Sequence, residues 1–177
     1  GTSWVQRGTN LNHTSQSYVS FSQDLSIDNT GTTVIISNVA SQHAAGELRI
    51  WKWSGTSWNL FQTVTESGTT RFGVRCYLSS DGLAFSVTDT GSSVVRYYRY
   101  NSSTSLYDKK ADVPEIGNSA LRNFSHYLTK DGLCVVVANG SRTSVNYCGV
   151  YEYDVSTNTW NQKGNLITST ANGDYTH

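Results

Sequence analysis

The same pattern is written three times in this chain and begun a fourth time. Trp4, Trp58, Tyr107 and Trp160 open the copies, at steps of 54, 49 and 53 residues. Each copy then runs through an apolar–polar turn phrase, a β-branched run and an aromatic–charged–aromatic triplet. A period near fifty is the mark of stacked supersecondary units, none of which can bury its apolar face alone. The repeats divide the chain into 1–57, 58–106, 107–159 and a fourth copy starting at 160–177.

The copies agree in detail. The turn phrases are Ile27-Asp28-Asn29-Thr30-Gly31, Leu78-Ser79-Ser80-Asp81-Gly82 and Leu128-Thr129-Lys130-Asp131-Gly132. Asp-Gly between apolar runs predicts a hairpin, with positive φ at both residues as primed turns require. After each Gly, a period of two places Val34 with Ile36, Phe85 with Val87, and Val135 with Val137 on one face. The triplets Trp51-Lys52-Trp53, Tyr98-Arg99-Tyr100 and Tyr151-Glu152-Tyr153 put both aromatics on one side and the charge on the other, as on a half-buried outer strand. Ser, Thr, Asn and Gly fill the connections, and no helical period occurs. The class is all-β, with about four short strands per copy, which is the signature of a β-propeller blade of antiparallel strands.

Two phrases carry a family resemblance. Trp4-Val5-Gln6-Arg7-Gly8-Thr9-Asn10-Leu11 and Trp160-Asn161-Gln162-Lys163-Gly164-Asn165-Leu166-Ile167 share one wording, and Phe72-Gly73 precedes Leu78-Ser79-Ser80-Asp81-Gly82. Together they resemble the FG-GAP-like (integrin-α-type) propeller repeats of secreted and surface proteins. The Asp-x-Asp-x-Asp calcium loop of many such repeats is absent, so the resemblance implies no metal site here. Copy one has Phe21-Ser22 and copy three Phe124-Ser125 in place of Phe-Gly.

Charge narrows the partners. Thirteen basic and thirteen acidic residues balance and are scattered singly, which argues against nucleic acid or an anionic membrane. No apolar run is long enough to span a bilayer, and no signal peptide stands at the start. The chain has no Met, which leads us to expect a processed product or part of a longer polypeptide. Four N-glycosylation triplets, at Asn12, Asn101, Asn123 and Asn139, fall mostly in expected loops or strand ends and point to an extracellular product. Cys134 and Cys148 fall on expected neighbouring strands of one blade, where a disulfide closing that loop stabilises by about 3 kcal/mol; two buried thiols are the alternative. Cys76 is either a core residue or the partner of something outside the chain.

Catalytic patterns are thin. His13, His43, His126 and His177 lie in unrelated contexts, and no nucleophile elbow or phosphate loop is present. Glu47, Glu66, Asp89, Glu115, Glu152 and Asp154 are carboxylates that a propeller can gather, but the sequence pairs none of them. Trp4, Trp51, Trp53, Trp58 and Trp160 are expected in the core, because blade packing demands their recurrence, and of the adjacent Tyr97 and Tyr98 one is left for solvent or a neighbour. The expectation is a non-enzymatic structural and interaction module without cofactor or metal, set in a larger extracellular assembly: a surface coat, cell-wall layer, flagellar hair or virion. Its partners are other copies of the chain or the rest of a longer polypeptide. A carbohydrate-binding, lectin-like propeller is the alternative.

Overall fold

The computed structural model describes residues 3–12, 19–40, 46–66, 71–114, 124–139 and 146–169. In the first copy, β1 (Val19–Ile27) and β2 (Thr33–Ala40) pair antiparallel with Ile27 opposite Val34. β3 (Glu47–Trp53) returns along β2 and β4 (Trp58–Thr65) along β3, a four-strand meander. β5 (Phe72–Leu78), β6 (Ala84–Asp89), β7 (Val94–Asn101) and β8 (Leu106–Lys109) repeat it. The third sheet is β9 (Phe124–Leu128), β10 (Cys134–Asn139), β11 (Tyr147–Asp154) and β12 (Thr159–Gln162), with β13 (Ile167–Thr168) resuming on β11 beyond β12. The protein is all-β: three four-stranded antiparallel sheets and the beginning of a further repeat, as in part of a β-propeller.

The written period and the sheets are out of phase by one strand. Trp58 lies on β4, Tyr107 on β8 and Trp160 on β12, so each opening aromatic sits on the last strand of a sheet. The aromatic triplets sit on the third strand, paired on both sides, and not on an outer strand. On that strand Tyr98, Tyr151 and Tyr153 are buried, while Trp51, Trp53 and Tyr100 are half-buried.

The Asp-Gly hairpins form, with a different turn from the expected one. Left-handed φ occurs at Gly31, Gly82 and Gly132 and not at the Asp before the last two. Gly82 N–H closes back on Ser79 O at 3.0 Å and Ser79 N–H reaches Ala84 O at 2.8 Å, giving a wider loop than a primed two-residue turn. The Asp carboxylate takes over the turn, accepting Leu83 N–H at 2.9 Å from Asp81 and Leu133 N–H at 3.0 Å from Asp131. These loops also tie the sheets together: Asn29 N–H donates to Ser80 O at 2.9 Å, and Ser80 N–H to Lys130 O at 2.7 Å.

Two apolar layers fill the spaces between sheets. Ile35, Leu48, Ile50 and Val64 pack on Phe72, Cys76, Leu78, Phe85, Val87, Tyr98 and Tyr107. Ala84, Val95 and Tyr97 pack on Leu128, Val135, Val137, Tyr151, Tyr153 and Trp160. Adjacent Tyr97 and Tyr98 thus face opposite layers, and both are buried. Each such side chain contributes about 1.5–3 kcal/mol by leaving water. The Phe-Gly phrase belongs to this packing: Phe72 is fully buried, while Gly73, at φ 99°, comes so close to the first sheet that an added Cβ would lie 3.1 Å from Ser37 Cβ.

Candidate functional site

Among the described residues the carboxylates form no acid–base pair. Arg96 gathers three of them, with Nη2 2.8 Å from Asp89, Nη1 2.7 Å from Asp112 and Nε 3.9 Å from Glu66. Lys109 adds a contact to Glu66 at 3.3 Å, and Tyr98 hydroxyl donates to Glu66 Oε1 at 2.6 Å. Burial, with that bond to Glu66, pushes the Tyr98 phenol well up from its ordinary range. Asp89 is fully buried, so the network holds the ends of β4, β6 and β7 together. Glu47 pairs with Arg49, Glu152 with Lys163, and Asp154 caps its own turn through Ser156. Glu115 lies outside the described residues, as do His13, His43 and His177. Among the described residues no group of three His, Cys, Asp or Glu side chains is placed to hold a metal, and no helix is long and apolar enough to cross a membrane.

The expected disulfide is corrected by the strand register. β10 and β11 are neighbours, but Cys134 lies opposite Glu152 and Cys148 opposite Ala138. Four residues along a strand separate the sulfurs by roughly 13 Å, far beyond disulfide reach, and both thiols are free. Cys76 is a core residue, 1% exposed, with burial pushing its thiol up. Among the glycosylation candidates Asn12 is exposed and Asn101 half-buried, its amide donating to Asp108 Oδ2 at 2.6 Å. Asn123 lies outside the described residues. Asn139 stands at the end of β10, 2% exposed.

What the sequence did not isolate is a pair of open sheet faces. Sheets two and three each turn one face to the sheet before: Leu78, Phe85 and Val87 in one, Leu128, Val135 and Val137 in the other. The same repeat positions in the first sheet are Ile27, Val34 and Ile36, beside Leu25, Trp51 and Trp58. Leu25 and Ile27 stay 59% and 53% exposed; Val34 and Ile36 are buried, yet neither belongs to the layers that the described sheets share. At the far end the third sheet presents Ile167, 65% exposed, while the half-open Tyr127 ring leans back on Tyr77 of the second sheet, centroids 5.2 Å apart.

Residues 3–12 show what fits there. Trp58 Nε1 donates to Arg7 O at 3.0 Å, just as Trp160 Nε1 donates to Ala111 O at 3.0 Å past the end of β8. A Cβ on Gly8 would meet the Trp53 ring at 2.8 Å, and the Arg7 guanidinium lies 5.3 Å over that ring. Gln6 Nε2 reaches Gly8 O at 3.1 Å and Gln162 Nε2 reaches Gly164 O at 2.8 Å, so both copies of that phrase fold alike. The stretch therefore occupies the outer-strand place of a preceding blade while pairing with no described strand. Trp4 was expected in the core; with no neighbouring strand behind it, it is fully exposed, whereas Trp160, backed by β11, is 8% exposed.

No family model matches the chain and no curated protein matches it. Solved structures do. The fold is similar to a candidate 6-phosphogluconolactonase of Bacteroides fragilis, with a TM-score of 0.58 and 16% identity over 81% of this chain and 38% of that one. It is similar to the periplasmic gluconolactonase PpgL of Pseudomonas aeruginosa, with a TM-score of 0.52 and 15% identity over 86% of this chain and 42% of that one. Hsv2 of Kluyveromyces lactis gives a TM-score of 0.53 and 12% identity over 81% of this chain and 46% of that one. These are β-propeller proteins, and the likeness shows the fold alone. The chain spans less than half the length of each.

Proposed function

We propose that this chain is a non-enzymatic structural and interaction module, a run of propeller blades that completes itself on further blades of the same kind. The observation that supports this most strongly is the seating of residues 3–12 on the first sheet as an outer strand without a sheet of its own. That seating, with Leu25 and Ile27 exposed on the same sheet, supports a further sheet with this repeat as the occupant of the face. The described carboxylates, held in ion pairs and turn caps, favour a scaffold over an acid–base centre.

The module belongs to an extracellular assembly such as a surface coat, cell-wall layer, flagellar hair or virion, is akin to FG-GAP-like repeats without their calcium loop, and carries N-linked sugar at exposed Asn12. Its neighbours are the remainder of a longer polypeptide or other copies of the chain. The test is the size of the native product, read by immunoblot under denaturing and native conditions. A longer polypeptide, or a chain this size in a large complex, supports the proposal. A lone monomer of this size under both conditions refutes it. Treating the native product with an amidase that leaves Asp at Asn12 checks the glycoprotein part.

A further inference from the structure

The repeat supplies its own control for the outer rim of the blades. Between the first and second sheets, Lys52 Nζ lies 3.9 Å from the centre of the Phe61 ring and 4.4 Å from that of Tyr100. Phe61 closes this junction by packing on Tyr100 and Tyr107. At the next junction Arg99 stands for Lys52 in the triplet and, counted from Trp58 and Tyr107, Lys110 stands for Phe61. The bulge that holds Phe61 on β4 has no counterpart on β8. With an ammonium where the ring stood, the rim stays open as a hollow of about 440 Å³ lined by Arg99, Asn101, Lys110, Tyr153 and Asn158 among others.

Two cations thus share one polar hollow. Arg99 Nη1 donates to Tyr97 hydroxyl at 2.9 Å, and that hydroxyl donates to Gly132 O at 2.5 Å from a fully buried ring. The guanidinium is held in place with most of its donors unspent, and among the described residues no carboxylate pairs with it. Lys110 has a long contact to Asp108 at 3.9 Å, and Asp108 already accepts Asn101 Nδ2. Asn158 Oδ1 accepts from Tyr153 hydroxyl at 2.6 Å and Ala111 N–H at 3.2 Å, which leaves its NH2 as the donor still to be used. Neighbouring cations repel unless an anion lies between them. A bare inorganic ion would leave most of a hollow this size unfilled, since volumes of roughly 300–1,000 Å³ suit whole small molecules. Amides and hydroxyls on its walls suit a polyhydroxylated body.

We propose that this hollow binds an acidic saccharide residue, a hexose bearing a carboxylate or sulfate. The oxyanion sits between Arg99 and Lys110, and the ring hydroxyls meet Asn101 and Asn158 beside Tyr153. The test is an amide-resonance titration of the whole chain, made in bacteria so that Asn101 carries no sugar. The probes are glucuronate, galactose 6-sulfate, glucose and inorganic sulfate. Glucuronate or galactose 6-sulfate should saturate shifts around Arg99, Lys110 and Asn158 with Kd on the order of 1 mM, glucose and sulfate binding roughly tenfold more weakly. Lys110→Phe replaces one cation by an apolar ring and should abolish binding while the melting temperature holds or rises. Arg99→Gln should weaken binding roughly tenfold or more. Absence of saturation by either acidic sugar overturns the site, as does a Lys110→Phe variant that binds like the parent. Equal binding of inorganic sulfate overturns the saccharide, and equal binding of glucose overturns the role of the cations.

Discussion

At the residue scale, buried groups set the pH response. His126 on β9 is 3% exposed between the second and third sheets, its Nε2 2.9 Å from Ser86 Oγ and its ring edge-on to Tyr77 at 4.9 Å. Burial chiefly, with Arg75 adding to it and Ser86 acting the other way, pushes its pKa down to about 3 from 6.5. The folded chain therefore refuses a proton that the unfolded chain takes up below pH 6.5. Stability present above that pH is lost as pH falls from 6.5 toward 3, by about 1.4 kcal/mol per pH unit. Denaturant midpoints measured at pH 7 and pH 4.5 should differ accordingly, and His126→Gln should nearly remove the difference; an unchanged slope would contradict the assignment. Glycines separate in the same way. Gly132 and Gly164 both have left-handed φ, but a Cβ on Gly132 meets Ala84 Cβ at 2.8 Å while Gly164 has open space. Gly164→Ala should cost about 1 kcal/mol and Gly132→Ala roughly 2–4 kcal/mol, read from chemical melts.

At the element scale, the ladder running from Asn29 to Ser80 to Lys130 links three turns through backbone groups alone. Ser80→Pro isolates it. The position follows Ser79 as the second residue of a turn, where Pro suits the backbone and would otherwise stabilise by about 0.4–1 kcal/mol. Removing the N–H that Lys130 O accepts should instead make the variant less stable by about 1 kcal/mol. A raised melting temperature would show that the ladder holds nothing. The strands and turns were legible in the sequence because alternation and Asp-Gly phrases are local. The sheet boundaries were not: the repeat reads most clearly from Trp58, yet hydrogen bonding assigns Trp58 to the sheet before it. Register was equally silent. Cys134 and Cys148 lie on the expected pair of strands, and only the pairing of Cys148 with Ala138 separates them. Which Asn of a strand end faces inward, as Asn139 does, likewise depends on neighbouring strands and not on its triplet.

At the scale of the whole molecule, the arc of three sheets has two unlike ends. The first sheet offers Leu25 and Ile27, and the third offers Ile167. These faces belong to the layers that elsewhere bury their counterparts, so they complement each other as consecutive blades do. Residues 3–12 already take the outer place on the first sheet, and they are cut from the same phrase as β12 and the turn after it. Head-to-tail docking of two copies requires that stretch to yield to its neighbour's β12. A chain lacking residues 1–12 should therefore associate more strongly than the parent, with light scattering as the readout; weaker association would mean that the stretch itself is the contact.

The open first-sheet face is the centre of this account, and sedimentation equilibrium over a wide range of chain concentration tests it most directly. The weight-average mass of the parent chain should rise with concentration. The Leu25→Lys, Ile27→Lys double variant should keep a constant monomer mass, with unchanged circular dichroism. A parent chain that stays monomeric throughout and melts in a single cooperative transition would contradict this reading of the face.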